Sequence, residues 1–291
     1  MSTILLTGAT GFLGSNIAKA LLADGHRVVA FKRRASRLHR LSGIAKDIAF
    51  YDLDALDLTI PFKEQGRIDA VIHAATCYGR AGETPTQVFQ VNTAFPLQLL
   101  EAATFFNTDT FFNTDAILYP HLNAYALSKK QFADWGRQLA SNDRIRFINI
   151  RLEHMYGPGD DISKFTTWVL GQCLWHVPEL ALTAGEQQRD FIYIRDVVAA
   201  YAHLLQHRTA LGQGFQELGL GSSKPIAVRH FVETAHRLTV SKTRLQFGAL
   251  PYRDHEQMQS CADTTMLQAL GWNCQTSLEQ GLTNMIEEMK R

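Results

Sequence analysis

Charge of one sign, paired cysteines and long apolar runs are all scarce in this sequence of 291 residues. The 29 lysines and arginines nearly balance the 28 aspartates and glutamates, so no electrostatic argument favours nucleic acid or a membrane surface as a partner. The four cysteines show neither a CxxC pair nor a Cys/His zinc spacing, and we expect reduced thiols and no metal. No apolar run approaches the ~20 residues of a membrane span, and no signal-peptide pattern precedes the first strand. We therefore expect a cytoplasmic protein.

The first half of the chain alternates short apolar strands with helices. This alternation predicts an α/β fold with a doubly wound parallel sheet, and the nearly continuous apolar character of the strands fits a sheet buried on both faces. The predicted strands are Ile4–Thr7, Arg27–Phe31, Ile48–Tyr51, Ala70–Ala74, Thr110–Thr114 and Arg146–Arg151. The predicted helices are Phe12–Ala23, Val88–Ala103 and Ala124–Leu139.

The second half has a looser pattern, which begins after Arg151 and is broken by a Gly-Pro-Gly turn at residues 157–159. We expect a first domain over residues 1–155 and a smaller mixed α/β lobe over residues 156–291, with some segments of the second returning to the first sheet. Predicted helices are Lys164–Trp175, Arg195–Gln206, Val228–Leu238, Thr264–Leu270 and Leu278–Met289, and short strands are expected near Leu180–Leu182, Phe191–Ile194 and Phe215–Leu218.

A glycine-rich turn over residues 7–14 follows the first strand and opens the first helix. Gly8 permits a tight turn, Gly11 lets the backbone approach a pyrophosphate, and Gly14 lets the helix pack closely on the strand. The helix N-terminus adds free N–H groups and the positive end of the helix dipole. This context predicts a Rossmann domain that binds a dinucleotide. The cofactor-binding residues assigned from the turn are Gly8, Thr10, Gly11, Phe12, Leu13 and Gly14.

A basic run at residues 32–34 stands where the second strand ends. An acidic residue there would bond the ribose 2′-hydroxyl of NAD and repel the 2′-phosphate of NADP. The ammonium of Lys32 and the guanidinium of Arg33 suit that phosphate, so the run favours NADP; if it is only a solvated basic edge, NAD remains possible. Further assigned to the cofactor are Asp52 and Leu53 after the third strand and Ala74 and Ala75 after the fourth.

A YxxxK stretch begins the helix that follows the fifth strand, and it places Tyr125 and Lys129 on one helix face. Ketone reduction needs a hydride from nicotinamide and a proton for the forming alkoxide. A tyrosine hydroxyl can give this proton, and a lysine one turn away would favour the phenolate and bring the pKa of the phenol nearer neutrality. We assign both residues to catalysis, and both also to the cofactor because the lysine can hold its ribose.

A hydroxyl at the end of the fifth strand would polarise the substrate carbonyl in such a site. The sequence FFNTD occurs twice, at residues 105–109 and 111–115, and only one copy can be that strand. The preceding helix needs residues up to about 106, which favours the second copy and makes Thr114 the third catalytic residue, on the same face as Ala116. If the first copy is the strand, Thr110 would serve instead.

These motifs resemble the extended short-chain dehydrogenase/reductase family, also called the NAD-dependent epimerase/dehydratase family. The resemblance covers essentially the whole chain and implies an NAD(P)-dependent oxidoreductase whose C-terminal lobe holds a nucleotide-diphosphate sugar. It rests first on the three glycines of the turn and on the YxxxK pair. Further matches are Arg151, Tyr156–Gly159, Arg189–Ile192, Asp196–Val198, Asp263 and Leu270–Trp272.

Within this family, the chain looks most like the CDP-abequose synthase group of nucleotide-sugar 4-ketoreductases. The resemblance implies hydride transfer from NAD(P)H to C4 of a deoxyhexose in O-antigen biosynthesis, with Tyr125 protonating the new hydroxyl. It also implies a homodimer formed through the helices at 88–103 and 124–139. The matching segments are Phe112–Asp115, Ser128–Phe132, Arg151–Asp160, Gly185–Ile192, Phe247–Ala249 and Arg253–Asp254.

The chain departs from its relatives at two positions. The hydroxyl that commonly follows the Thr-Asp pair is replaced by Ala116, and His154 stands where many relatives have asparagine. The guanidinium groups of Arg189 and Arg253 could bind a diphosphate. Each arginine could instead form a surface ion pair with the aspartate that follows it. Glu153 and His154 could likewise be a hydrogen-bonded structural pair. The substrate-binding residues assigned are Thr114, Asp115, His154, Arg189 and Arg253.

Two other functions remain open from the sequence. A nucleotide-sugar 4-epimerase would keep NAD bound and return the hydride, which the basic run after the second strand disfavours. A dinucleotide-binding sensor or scaffold without turnover is favoured only by Ala116, and the intact Tyr125 and Lys129 argue against it.

Overall fold

The computed structural model describes residues 1–55, 57–142 and 144–290. Within these residues no helix is long and apolar enough to cross a membrane. The strands are β1 Thr3–Thr7, β2 Arg27–Lys32, β3 Ile48–Asp52, β4 Ala70–His73, β5 Thr110–Ala116, β6 Arg146–Leu152, β7 His154–Tyr156, β8 Glu179–Leu182, β9 Gln188–Arg189, β10 Phe191–Tyr193, β11 Phe215–Leu220, β12 Ile226–Ala227 and β13 Arg244–Phe247. The α-helices are α1 Phe12–Ala23, α2 Ile60–Gln65, α3 Pro85–Phe89, α4 Phe95–Phe105, α5 Ala124–Leu139, α6 Phe165–Leu174, α7 Ile194–Gln206, α8 Val228–Leu238, α9 Thr265–Ala269 and α10 Leu278–Met289.

Seven strands form one sheet in the order β11-β6-β5-β4-β1-β2-β3. The pairings of β1 with β2 and β4, of β2 with β3, and of β4 with β5 are parallel. The chain runs outward from β1 in one direction to β3 and in the other direction through β4 to β6. In doubly wound sheets, ligands bind at the carboxyl ends of the strands where this order reverses, here beside β1 and β4. The predicted α/β fold is confirmed.

The chain divides into two compact units. The first comprises Met1–Arg151 and Tyr201–Leu218, and the second comprises Leu152–Ala200 and Gly219–Arg291. Apolar strand residues and the inner faces of α4 and α5 form the core of the first unit, in which the rings of Phe111 and Phe147 stack at 5.5 Å. Burial of this apolar surface stabilises the sheet that carries the site.

The helix predicted over Val88–Ala103 is present and runs from Pro85 to Phe105, but it is not α-helical throughout, because a π-turn at Gln90–Ala94 joins α3 to α4. Its last turn is closed by the N–H of Phe95, which donates to the carbonyl of Gln90 five residues earlier. Pro96 explains the irregularity, since it has no N–H and its ring would clash with the carbonyl four residues before it. Turns of this kind occur frequently at functional sites.

The second copy of the FFNTD duplication forms the fifth strand, as predicted. Strand β5 spans Thr110–Ala116, whereas α4 continues through the start of the first copy and ends at Phe105. The alternative in which Thr110 stands at the carboxyl end of the strand is therefore wrong.

Candidate active site

The glycine turn between β1 and α1 leaves no room for side chains at two positions. Gly8 has φ +71°, and a Cβ there would lie 2.6 Å from the N atom of Ala75. At Gly14 a Cβ would lie 2.1 Å from the carbonyl oxygen of Gly8, so the helix can begin against the turn only with glycine. Gly11, the N-cap of α1, offers no capping side chain, and the first N–H groups of the helix have no partner within it. The turn therefore fits a pyrophosphate, with Thr10, Phe12 and Leu13 beside it.

A buried hydrogen-bond network supports this turn from below. The Oγ1 atom of Thr7 accepts hydrogen bonds from the N–H groups of Ala74 and Ala75, at 3.2 and 3.1 Å, and lies 2.8 Å from Nδ1 of His73. Since the hydroxyl oxygen already accepts twice, its own proton goes to His73. Burial, and secondarily the charge of Lys129, holds the pKa of His73 well below its usual value, so this histidine is neutral. The sequence pattern did not indicate this hydrogen-bond network.

The residues predicted to contact the adenosine end lie at the carboxyl ends of β2 and β3. The ammonium of Lys32 forms an ion pair with Asp52, while the side chain of Arg33 is exposed. The N–H of Arg34 donates to Asp54 at 2.6 Å, and Leu53 packs against the core of the first unit. Because an acidic partner already neutralises Lys32, the exposed arginine is the better placed of the two predicted residues for a phosphate.

Lys129 is almost fully buried, with 2% of its surface exposed, on the face of α5 that covers the sheet. Burial lowers the pKa of its amine to about 8, and the nearby carboxylate of Asp115 offsets part of that effect. The ammonium therefore loses its proton in a range close to physiological pH. Perturbed titration of a buried amine is common in active sites.

The phenol of Tyr125, one turn before Lys129, is held in its protonated form. Burial raises the pKa of the phenol most, and Tyr78 and Asp115 raise it further. A hydrogen bond with the hydroxyl of Thr76 acts in the opposite direction. The pairing with Lys129 was expected to lower the pKa of the phenol, whereas burial raises it and is the largest effect.

The two faces of β5 determine which of its side chains can approach α5. The ring of Phe111 contacts that of Phe132 on α5, with centroids 5.8 Å apart, so Asp115 lies on the same face as Phe111. Thr114 lies on the other face, where its hydroxyl is 2.7 Å from the hydroxyl of Tyr201 on α7. The side chain that β5 directs towards α5 at this strand end is therefore a carboxylate.

Asp115 is held by hydrogen bonds on both carboxylate oxygens. Oδ1 accepts from the N–H of Ala116 at 2.7 Å, and Oδ2 accepts from Nδ2 of Asn149 at 3.0 Å. The same amide also donates to Glu217 at 2.9 Å, so three neighbouring strands share one polar network. The network fixes the negative charge that faces Lys129 and Tyr125.

The predicted substrate residues His154, Arg189 and Arg253 belong to the second unit. Arg189 forms an ion pair with Glu256 rather than with the aspartate that follows it, and its Nη1 donates to the carbonyl of Gln188 at 2.8 Å. Burial lowers the pKa of Arg189, and Glu256 offsets part of this effect. Arg253 is exposed.

A buried carboxylate organises the neighbourhood of His154. Both oxygens of Glu153 accept from the hydroxyl of Ser260, at 2.6 and 2.7 Å, and one lies 3.2 Å from Nδ1 of His154. The structural pair considered from the sequence is therefore present. This pair uses Nδ1 of His154 and leaves its Nε2 atom for a further contact.

The thiols Cys77, Cys173, Cys261 and Cys274 are all free. Across residues 1–55, 57–142 and 144–290, no group of three or more histidine, cysteine, aspartate or glutamate side chains could hold a metal ion.

Comparison with known proteins places the chain in a family. The NAD dependent epimerase/dehydratase family matches residues 4–216. CDP-abequose synthase of Salmonella muenchen is 30% identical over 97% of this chain and 96% of the relative. The CDP-abequose synthase of Salmonella typhimurium is also 30% identical, over 98% of both chains. The ADP-L-glycero-D-manno-heptose-6-epimerase of Pseudomonas paraeruginosa is 24% identical over 96% of both.

Solved structures share the fold at lower identity. UDP-glucose 4-epimerase of Thermotoga maritima with UDP-glucose is 20% identical, with a TM-score of 0.85 over 99% of this chain and 98% of that one. UDP-glucuronic acid 4-epimerase of Bacillus cereus, in complex with UDP-glucuronic acid and NAD, is 22% identical, with a TM-score of 0.86 over 99% of both. The chain belongs to the NAD dependent epimerase/dehydratase family and is an NAD(P)-dependent enzyme, which confirms the resemblance seen in the sequence.

Proposed function

We propose that this enzyme reduces the 4-keto group of a nucleotide-diphosphate deoxysugar with NAD(P)H. The observation that carries the proposal is the pair of Tyr125 and Lys129, one a protonated phenol and the other a buried amine, on one turn of α5. The 30% identity to two CDP-abequose synthases over nearly the full chain supports the choice of substrate class.

The residues divide the reaction between binding and proton transfer. The turn from Gly8 to Gly14 and the amine of Lys129 would hold the dinucleotide, which supplies the hydride for C4 when bound. Tyr125 donates its phenolic proton to the C4 oxygen as that carbon becomes tetrahedral. Its raised pKa keeps the proton available, and the ammonium of Lys129 stabilises the phenolate that remains. Asp115 favours the charged form of this ammonium.

Reduction should therefore slow as Lys129 loses its proton. We expect kcat to be flat near neutrality and to fall above a pH of about 8, because the phenolate then lacks a compensating charge. Asp115→Asn should move this alkaline limb to lower pH, since the carboxylate raises the pKa of the amine. The check is a pH profile of kcat for both proteins. An alkaline limb that the variant leaves in place would contradict the role given to Lys129.

NADP is the cofactor that the exposed Arg33 favours. Its guanidinium can meet a 2′-phosphate, whereas the ion pair with Asp52 already occupies Lys32. The ratio of kcat/KM for NADPH and NADH measures this preference, and a ratio below one would reverse it.

For the nucleotide diphosphate we propose Arg189, Arg253 and His154 as ligands in the second unit. Guanidinium forks match phosphate oxygens, and the ring of His154 is oriented by Glu153. Arg253→Ala should raise the KM for the nucleotide sugar with little change in kcat, and an unchanged KM would remove this residue from the site.

The experiment that tests the function mixes the enzyme with NADPH or NADH and a panel of CDP-, dTDP- and GDP-4-keto-6-deoxy sugars. Oxidation of the reduced nicotinamide with one sugar, read as loss of its absorbance, would support the reductase. No consumption with any sugar, although cofactor binds, would defeat the proposal for this panel. A 4-epimerase with retained NAD, or a dinucleotide-binding sensor or scaffold, would then become the leading hypothesis.

We also propose a homodimer formed through the outer faces of α3 and α5. Phe89, Leu127 and Trp135 are 41%, 37% and 47% exposed there, which is unusual for large apolar side chains at one surface. The wild-type mass in solution should be twice 32.7 kDa. Trp135→Glu should shift it to the monomer, and a monomeric wild-type protein would refute the proposal.

A further inference from the structure

A hydroxyl beside the phenol of Tyr125 is missing where the family resemblance would place it. On β5, the residue facing α5 is Asp115, whose oxygens both accept hydrogen bonds from N–H groups, and Ala116 carries no polar group. The hydroxyl of Thr114 lies on the opposite face, against Tyr201. Strand β5 therefore places no hydroxyl on the face that meets the catalytic helix.

We propose that Thr76, in the loop after β4, is the catalytic residue that supplies this hydroxyl. The same loop brings the ring of Tyr78 to within 5.0 Å of the ring of Tyr125, measured between centroids. The inference deepens the proposed ketoreductase function and rests on it, since the phenol oxygen is the atom that gives up its proton in that reaction.

Asn92, in the π-turn between α3 and α4, holds the loop that carries Thr76 next to α5. Its side chain is fully buried, and its Oδ1 accepts from the hydroxyl of Thr76 at 3.3 Å and from the N–H of Cys77 at 2.7 Å. Its Nδ2 donates to the carbonyl of Cys77 at 2.8 Å and to the hydroxyl of Ser128 at 3.0 Å. Because that hydroxyl donates in turn to the carbonyl of Tyr125 at 2.8 Å, one amide joins the loop to the catalytic helix.

The hydroxyl of Thr76 can serve Tyr125 in both protonation states. With the neutral phenol, its own proton goes to Asn92, which leaves its oxygen able to accept from the phenol. When the phenol has given its proton to the C4 oxygen, the hydroxyl turns and donates to the phenolate. This rotation of the Thr76 hydroxyl costs Asn92 little, because Oδ1 of Asn92 keeps the shorter hydrogen bond from the N–H of Cys77. A hydrogen bond that strengthens as charge develops lowers the barrier.

Three variants test the proposal by turnover. Thr76→Val removes only the hydroxyl and should lower kcat by roughly 10²-fold, with the KM for NADPH unchanged. Thr76→Ser should recover most of that loss. Thr104→Val, a matched control on α4 whose hydroxyl donates to the carbonyl of Leu100 in the same helix, should keep kcat within a few-fold of the wild type. A near-normal kcat in Thr76→Val would overturn the proposal.

A second measurement needs neither substrate nor cofactor. Difluorotyrosine incorporated at position 125 has an intrinsically more acidic phenol, whose ionisation can be followed by fluorine NMR. Thr76→Val should raise the midpoint by about one pH unit or more, and Thr76→Ser should restore it. An unshifted midpoint would overturn the inference. If the wild type reduces no 4-keto sugar, the proposed function fails, yet this shift still decides whether Thr76 bonds the phenol.

Discussion

Tyr125→Phe should lower the kcat for reduction of a 4-keto nucleotide sugar by roughly 10³- to 10⁴-fold. The variant keeps the ring that packs 5.0 Å from Tyr78 and loses only the hydroxyl. The hydroxyl of Tyr201 cannot replace it, because that hydroxyl is bonded to Thr114 on the far face of β5. The KM values for cofactor and sugar should change little, since the hydroxyl acts mainly in the transition state.

The matched control is Tyr119→Phe, which removes the hydroxyl of a tyrosine that is 60% exposed in the same unit. Its kcat should stay within about twofold of the wild type, because exposed substitutions away from a site have small effects. Steady-state kinetics of both variants at neutral pH make the comparison. A Tyr125→Phe protein that keeps a tenth or more of the activity would contradict the assignment of the proton donor.

Asp190→Asn should lower the free energy of unfolding by on the order of 3–5 kcal/mol. This carboxylate, at the junction of β9 and β10, has no exposed surface. Its Oδ1 accepts from the N–H and the hydroxyl of Ser222, at 2.7 and 2.5 Å, and its Oδ2 accepts from the N–H groups of Ser223 and Ala262, both at 3.0 Å. An amide can supply only one acceptor oxygen, so the NH₂ group would face N–H donors.

The stability of this variant is measured by chemical denaturation followed by circular dichroism. Asp254→Asn is the control, since this aspartate is exposed and should change the free energy of unfolding by no more than about 0.5 kcal/mol. Equal stabilities for the two variants would show that the hydrogen bonds to Asp190 do not hold the second unit together.

Local sequence pattern was enough to predict the alternation of strands and helices and the helix that carries Tyr125 and Lys129. The spacing of Tyr125 and Lys129 needs only the helical period, and the assignment of the second FFNTD copy to β5 needs only the length of the preceding helix. The π-turn inside the preceding helix was missed. The apolar period continues through this turn, and the effect of Pro96 depends on which backbone carbonyl its ring would meet.

The site details that were missed depend on contacts between distant residues. Thr76 and Asn92 are joined across sixteen positions, and the threonine lies in a loop without any periodic pattern. Arg189 pairs with Glu256, which is 67 residues away, although an aspartate directly follows the arginine. The direction in which β5 presents Asp115 requires knowing which face α5 covers. Such pairings are set by the tertiary fold, so short-range sequence rules cannot provide them.

The most direct test of the ketoreductase proposal follows the hydride itself. The enzyme is incubated with a CDP-4-keto-6-deoxy sugar and NADPH that carries deuterium at both hydrogen positions of the nicotinamide C4, and the product is examined by proton NMR and mass spectrometry. A ketoreductase should place one deuterium at C4 of the sugar and form one equivalent of NADP for each sugar reduced. Recovery of the 4-keto sugar without deuterium at C4 and without net consumption of NADPH would contradict it.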